Sequence, residues 1–149
     1  MVVRPPDVYV KETGTVKGRG VFAARPFTNG ELVEISPVIV IPNPKSHVSP
    51  PPQIKVDFRR GMKVLLFNWS GLAKAWGRGL ALGYGSLYNS ANPANMRYEA
   101  DLTLPALRFI AAREIAMDEE LTINYNAHGG GVESPDYHWF TEMEIEPMP

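Results

Sequence analysis

The chain has no cysteine, which removes disulfides, thiolate zinc sites, iron–sulfur clusters and a cysteine nucleophile together. Histidine is scarce as well: His47, His128 and His138 are the only three. No pair of them has zinc-ligand spacing, so no metal centre is expected. A serine hydrolase has no support, because the sequence contains no G-x-S-x-G nucleophile elbow. An excess of one charge is missing too. The chain carries 15 Lys and Arg against 16 Asp and Glu, a formal net charge of −1, so no global field draws it to nucleic acid and no direct binding there is expected. No apolar run is long enough to cross a bilayer, and no signal-peptide core follows Arg4. These absences predict no membrane association and a cytoplasmic chain, or a nuclear one in a eukaryote.

What is plentiful is proline and glycine, 14 and 13 residues spread over 149. They leave little room for long helices and favour short strands joined by turns. A first strand is expected at Val8–Val10 and a second at Val21–Ala24, after a glycine-rich turn over 14–20. Asn29-Gly30 supplies turn chemistry. Glu31–Ile41 then reads as a β segment in which Pro37 predicts an edge position or a bulge. Pro42–Pro52 reads as an extended loop, and Met62–Trp69 as a buried helix or strand. Tyr98–Leu104 alternates in part, with Leu102 and Leu104 on one face and a turn at Pro105-Ala106 before the apolar run Leu107–Ala112. Glu120–Tyr125 alternates cleanly, with Leu121, Ile123 and Tyr125 on one face and Thr122 and Asn124 on the other. The expected architecture is a mostly-β single domain with little helix.

Three segments occur in a telling order. Lys17-Gly18-Arg19-Gly20-Val21-Phe22-Ala23 leads into Asn29-Gly30-Glu31-Leu32-Val33. Ala81-Leu82-Gly83-Tyr84-Gly85-Ser86-Leu87-Tyr88-Asn89 leads into Ser90-Ala91-Asn92-Pro93-Ala94-Asn95. The last runs from Ile115 through Asp118-Glu119-Glu120-Leu121-Thr122-Ile123-Asn124-Tyr125. Together they resemble the SET-domain family of protein-lysine methyltransferases, and especially its small stand-alone members from bacteria and large viruses. The resemblance covers about 8–125, with a fainter tail over 126–149. It implies a single domain of several small β-sheets in which the C-terminal segment threads under a loop to form a pseudoknot. The implied activity is methyl transfer from S-adenosylmethionine to a lysine of a protein.

That chemistry needs an uncharged amine, aligned on the sulfonium methyl and screened from water. Glycines let backbone groups approach a ligand closely, and the resemblance makes Gly18, Arg19, Gly20 and Phe22 cofactor contacts, with Lys17 either facing the carboxylate or solvated. By the same resemblance Asn89 and Ser90 meet the adenine side, where Trp139 lays its ring unless it only packs the terminus. Tyr125 is the catalytic candidate, a phenol that stays protonated at neutral pH and orients the amine. Tyr84, Tyr88 and position 65 wall the lysine channel, with core packing the rival role for both tyrosines.

The match departs from the family pattern in two places. Ser90 stands where relatives carry histidine, Ala91 where they carry serine, and Pro93 comes one position early. Leu65 stands where relatives often carry tyrosine. Two readings follow, an active methyltransferase or a SET-fold interaction protein with weakened or lost activity. The resemblance implies a lysine-bearing partner such as a histone, ribosomal or nucleoid protein. Asp118-Glu119-Glu120 and the tail Glu142, Glu144 and Glu146 offer negative charge to a basic peptide, and exposed β edges allow homodimer pairing.

Overall fold

The computed structural model describes residues 2–42, 66–69, 77–101 and 103–136. Among them run nine strands: β1 (Val8–Glu12), β2 (Arg19–Ala23), β3 (Leu32–Pro42), β4 (Leu66–Trp69), β5 (Gly77–Ala81), β6 (Asn89–Ser90), β7 (Met96–Asp101), β8 (Ala106–Ala111) and β9 (Glu120–Ile123). The only helical element among the described residues is a 3-10 turn at His128–Gly130. The chain is therefore mostly β, as its proline and glycine content predicts. The loop expected over Pro42–Pro52 lies outside the described residues after Pro42, as do Leu65, His47, His138, Trp139 and the glutamates at 142–146.

The strands form two sheets, ordered β1-β2-β9-β6 and β4-β5-β3-β8-β7. All pairings are antiparallel except β6 on β9. The first sheet gathers strands from all three sequence motifs, although they lie far apart in the chain. One apolar cluster draws on both sheets, with Val21, Met96, Phe109, Leu121 and Ile123 each fully enclosed. Phe67 meets Tyr98 edge-on at 5.2 Å between ring centroids, and Tyr98 lies 5.9 Å from Phe109, separations typical of favourable aromatic pairs.

β3 is the spine of the second sheet. Its residues Leu32–Pro37 pair with β8, and Val38–Pro42 pair with β5. Pro37 thus sits neither on an edge strand nor at the bulge. It marks the handover between two partners, where the ladder does not require its missing N–H, and its carbonyl accepts the Leu82 N–H at 2.8 Å. The register shift falls earlier, between Leu32 and Glu34. That extra residue turns two neighbours inward: Val33 is 5% exposed and Glu34 4%, while Leu32 remains 37% exposed.

The β7–β8 turn also comes earlier than the sequence suggests. An Asp101 carboxylate oxygen accepts the N–H groups of Thr103 at 3.0 Å and Leu104 at 3.2 Å, an Asx turn that ends β7 at once. Leu104 is consequently exposed and Ala106 already belongs to β8.

Candidate active site

The glycine turn joins β1 to β2. Thr13 clamps it, with its N–H donating to the Gly18 carbonyl at 2.8 Å and its hydroxyl donating to the same oxygen at 2.7 Å. The two glycines are needed for different reasons. Gly18 has φ +69°, and a Cβ there would meet nothing within 4 Å, so the demand is conformational and the adjacent space is open. Gly20 is crowded: a Cβ would stand 2.5 Å from Glu120 Oε1.

β6 is the meeting point of the motifs. Asn89 pairs with Thr122 and Ser90 with Ile123. The Asn89 amide donates to the Arg19 carbonyl at 3.0 Å and to Glu120 Oε1 at 2.7 Å. Lys17 Nζ reaches the Ser90 carbonyl at 3.5 Å. Ser90 Oγ accepts the Tyr125 backbone N–H at 3.3 Å. The serine that replaces the family histidine therefore presents its carbonyl to one motif and its hydroxyl to another.

The shifted proline leaves the following loop well anchored. Its Asn92–Pro93 bond is cis. Asn92 Nδ2 donates to the Ser134 carbonyl at 2.8 Å, and the Ala94 N–H donates to the Val132 carbonyl at 2.9 Å. Buried Asn95 ties the loop to β9, donating to the Glu120 carbonyl at 2.7 Å and accepting the Thr122 N–H at 2.8 Å. The segment after β9 is held against this loop on its other side by Asn124, whose amide donates to Ser134 Oγ at 3.1 Å.

Tyr125 follows β9 and turns its hydroxyl onto the Tyr88 carbonyl. Tyr125 is half-buried, and its phenol is pushed up to about 12, chiefly by burial and secondarily by the Tyr98 phenol. At neutral pH it is therefore a hydroxyl donor. Tyr88 itself is 1% exposed. Its ring packs 4.9 Å from Phe109 and its hydroxyl donates to Glu34 Oε2 at 2.6 Å, so the side chain is built into the core, one of the two roles expected for it. Tyr84 is half-buried, and its N–H donates to Glu34 Oε1 at 2.9 Å.

Phe22 shares a face with Gly20 but is covered by its own hairpin. It stacks on Tyr9 at 5.8 Å, with Lys11 Nζ 4.3 Å above its ring. Arg19 is exposed. The acidic run bonds to neighbours at the surface: Asp118 accepts the Tyr9 hydroxyl at 2.7 Å, Glu119 pairs with Arg113, and Glu120 holds Asn89. Sequence reasoning missed Glu34, Tyr98 and the part played by Glu120. The only signal for Glu34 was a lone carboxylate in a strand that is apolar apart from Ser36.

A family model described as the SET domain matches residues 18–126. The chain belongs to the SET-domain family. A fission-yeast relative (Schizosaccharomyces pombe), a histone-lysine N-methyltransferase specific for H3 lysine 37, is 30% identical over 127 residues, covering 85% of this chain and 78% of that protein. A solved Plasmodium falciparum structure of a candidate histone methyltransferase matches in fold, with TM-score 0.60, 23% identity, 85% of this chain and 96% of the other covered. These relatives are fungal and apicomplexan, so they do not support the kinship to small bacterial and viral members that the motifs suggested. Family membership makes this chain a protein-lysine methyltransferase of the SET type, a family that uses S-adenosylmethionine. The residues at the glycine turn fit such a molecule. Lys17 Nζ, bonded to the Ser90 carbonyl, puts a cation beside the turn, and the open space beside Gly18 leaves the backbone approachable.

Proposed function

We propose that Lys17, Gly18, Arg19 and Gly20 hold the methionine portion of S-adenosylmethionine, that Asn89 and Ser90 border its adenine side, and that Tyr125 is the catalytic residue. The observation that carries this reading is the convergence on β6, where the turn, the Asn89-Ser90 pair and the end of β9 are bonded to one another. Asn89 supports the turn from beneath by holding the Arg19 carbonyl, and Glu120 holds Asn89 in turn. S-adenosylmethionine supplies the methyl group and the leaving group. The chain's own residues align the lysine amine and favour its neutral form. The enclosed Tyr125 phenol directs its hydroxyl rather than taking a proton, and an apolar surrounding disfavours the ammonium. The working unit is one SET domain with its core at 8–125.

The substrate proposed is a lysine in a basic histone-like segment. The name of the fission-yeast relative supports it. Asp118, Glu119 and Glu120 could add negative charge for such a segment: Asp118 is exposed, and among the described residues Asp118 and Glu120 are bonded only to neutral groups.

The test combines calorimetric titration with S-adenosylmethionine and transfer of labelled methyl to histone H3. Wild-type protein should bind the cofactor and label the histone. Tyr125→Phe should keep the cofactor affinity within about threefold while losing about tenfold or more in kcat, the range of a single positioned hydroxyl. Folded wild-type protein that binds no cofactor at millimolar concentration would overturn the enzyme reading and leave a SET fold used for interaction.

A further inference from the structure

Glu34 is the most deeply enclosed carboxylate among the described residues and has no place in the motif-based reading. It reaches the interior because the bulge at Leu32/Glu34 rotates β3. Burial pushes its carboxyl up, opposed by the hydrogen bonds it accepts from Tyr88 and Tyr84. A buried carboxylate is an expensive choice for a core position that leucine or methionine would fill, and such groups are best explained by a geometry that they impose. The geometry here is specific. One carboxylate oxygen accepts the Tyr88 hydroxyl at 2.6 Å and the other accepts the Tyr84 N–H at 2.9 Å. The chain between them wraps closely around the carboxylate: Gly83 has φ +66°, and a Cβ there would lie 2.6 Å from Glu34 Oε1.

The far end of that same segment carries the acceptor of the Tyr125 hydroxyl. Tyr88 is clamped by Glu34 at its hydroxyl and by Phe109 at its ring, and its main-chain carbonyl then receives the Tyr125 O–H. We propose that Glu34 and Tyr88 form a buried positioning pair that sets the direction of the Tyr125 hydroxyl by fixing the Tyr88 carbonyl. Neither residue touches the reacting atoms; both act through Tyr125. This inference rests on Tyr125 being the catalytic residue, and it predicts that specific changes in the core alter turnover without altering cofactor affinity.

The decisive variants are Tyr88→Phe, which removes the hydroxyl but keeps the ring, and Glu34→Gln, which keeps shape and bonding. A glutamine can accept from the Tyr84 N–H and donate to the Tyr88 oxygen, so it should retain kcat within about threefold. Tyr88→Phe and Glu34→Ala should each lower kcat about tenfold, with the KM for a histone H3 peptide and the S-adenosylmethionine affinity within about twofold of wild type. Combined with Tyr125→Phe, either change should cost little more than Tyr125→Phe alone. A second readout needs no activity. In protein carrying 13C-labelled tyrosine, the Tyr125 ring resonance should shift in Tyr88→Phe and stay near its wild-type position in Glu34→Gln. An unmoved Tyr125 resonance in folded Tyr88→Phe overturns the positioning pair, as does a kcat loss fully additive with Tyr125→Phe. A wild-type protein that binds no cofactor instead overturns the underlying enzyme reading, while the resonance test still judges the contact itself.

Discussion

Replacing Asn89 by alanine removes two bonds from the centre of the candidate site. The bond to the Arg19 carbonyl, at 3.0 Å, is a neutral pair with a net contribution of about 1 kcal/mol. The bond to Glu120 Oε1, at 2.7 Å, is charge-assisted and nominally about 2 kcal/mol. Both side chains are half-buried, so water recovers part of the second contribution. The expected loss for both bonds is about 2 kcal/mol. In a chain of this size that lowers Tm by roughly 4–8 °C, measurable by circular dichroism. The Arg19 carbonyl would no longer be restrained, and S-adenosylmethionine affinity should fall about tenfold by calorimetry, equivalent to about 1.4 kcal/mol. Asn89→Asp sharpens the reasoning by placing a second carboxylate opposite Glu120. It should be less stable than Asn89→Ala at pH 7 in low salt, and the gap should narrow in about 1 M salt, where the screening length falls to about 3 Å. If Asn89→Ala leaves both Tm and cofactor affinity at wild-type values, the Asn89–Glu120 support for the turn is refuted.

The Tyr125 phenol, pushed up to about 12 from an ordinary value of 10.0, holds its proton more tightly in the folded chain than in the unfolded one. Its contribution is therefore complete below about pH 10 and lost as pH rises towards 12, on the order of 2–3 kcal/mol across that window. Alkaline unfolding of wild type should be steeper than that of Tyr125→Phe, and identical profiles would contradict the enclosed phenol. Gly18→Ala should cost about 1 kcal/mol from left-handed backbone strain alone, whereas Gly20→Ala should cost more, because Glu120 must move away from Asn89. Denaturant midpoints will rank the two, and the reverse order would disprove the separate roles. Arg113→Ala should cost less than about 1 kcal/mol in chemical denaturation, since the Arg113 side chain of the pair with Glu119 is exposed.

Much of the strand order was legible from residue patterns. The apolar runs at 107–112 and 120–125 and the glycine turn at 14–20 lie close to β8, β9 and the observed β1–β2 turn. Less visible were the places where a polar group decides the backbone. Asp101 ends β7 early by accepting two N–H groups, and a single aspartate beside leucines carries little warning of that. Pro37 was legible as an interruption of the ladder, but not as the point where β3 changes partners.

The residues in chain order determine a mostly-β domain, exclude thiolate chemistry and set out three motifs whose order resembles that of a SET domain. Side-chain alternation and turn chemistry are local properties, so they can be read without knowing what lies across the sheet. Which side chains reach the site depends on tertiary structure. One extra residue at the β3 bulge reverses the inward face, because strand periodicity is two, and so Glu34 enters the core while Leu32 stays out. Tyr88 became a core residue whose carbonyl serves Tyr125, and the acidic run 118–120 is tied to Tyr9, Arg113 and Asn89. Each of these outcomes depends on a partner distant in sequence, and only folding brings those partners within hydrogen-bonding distance.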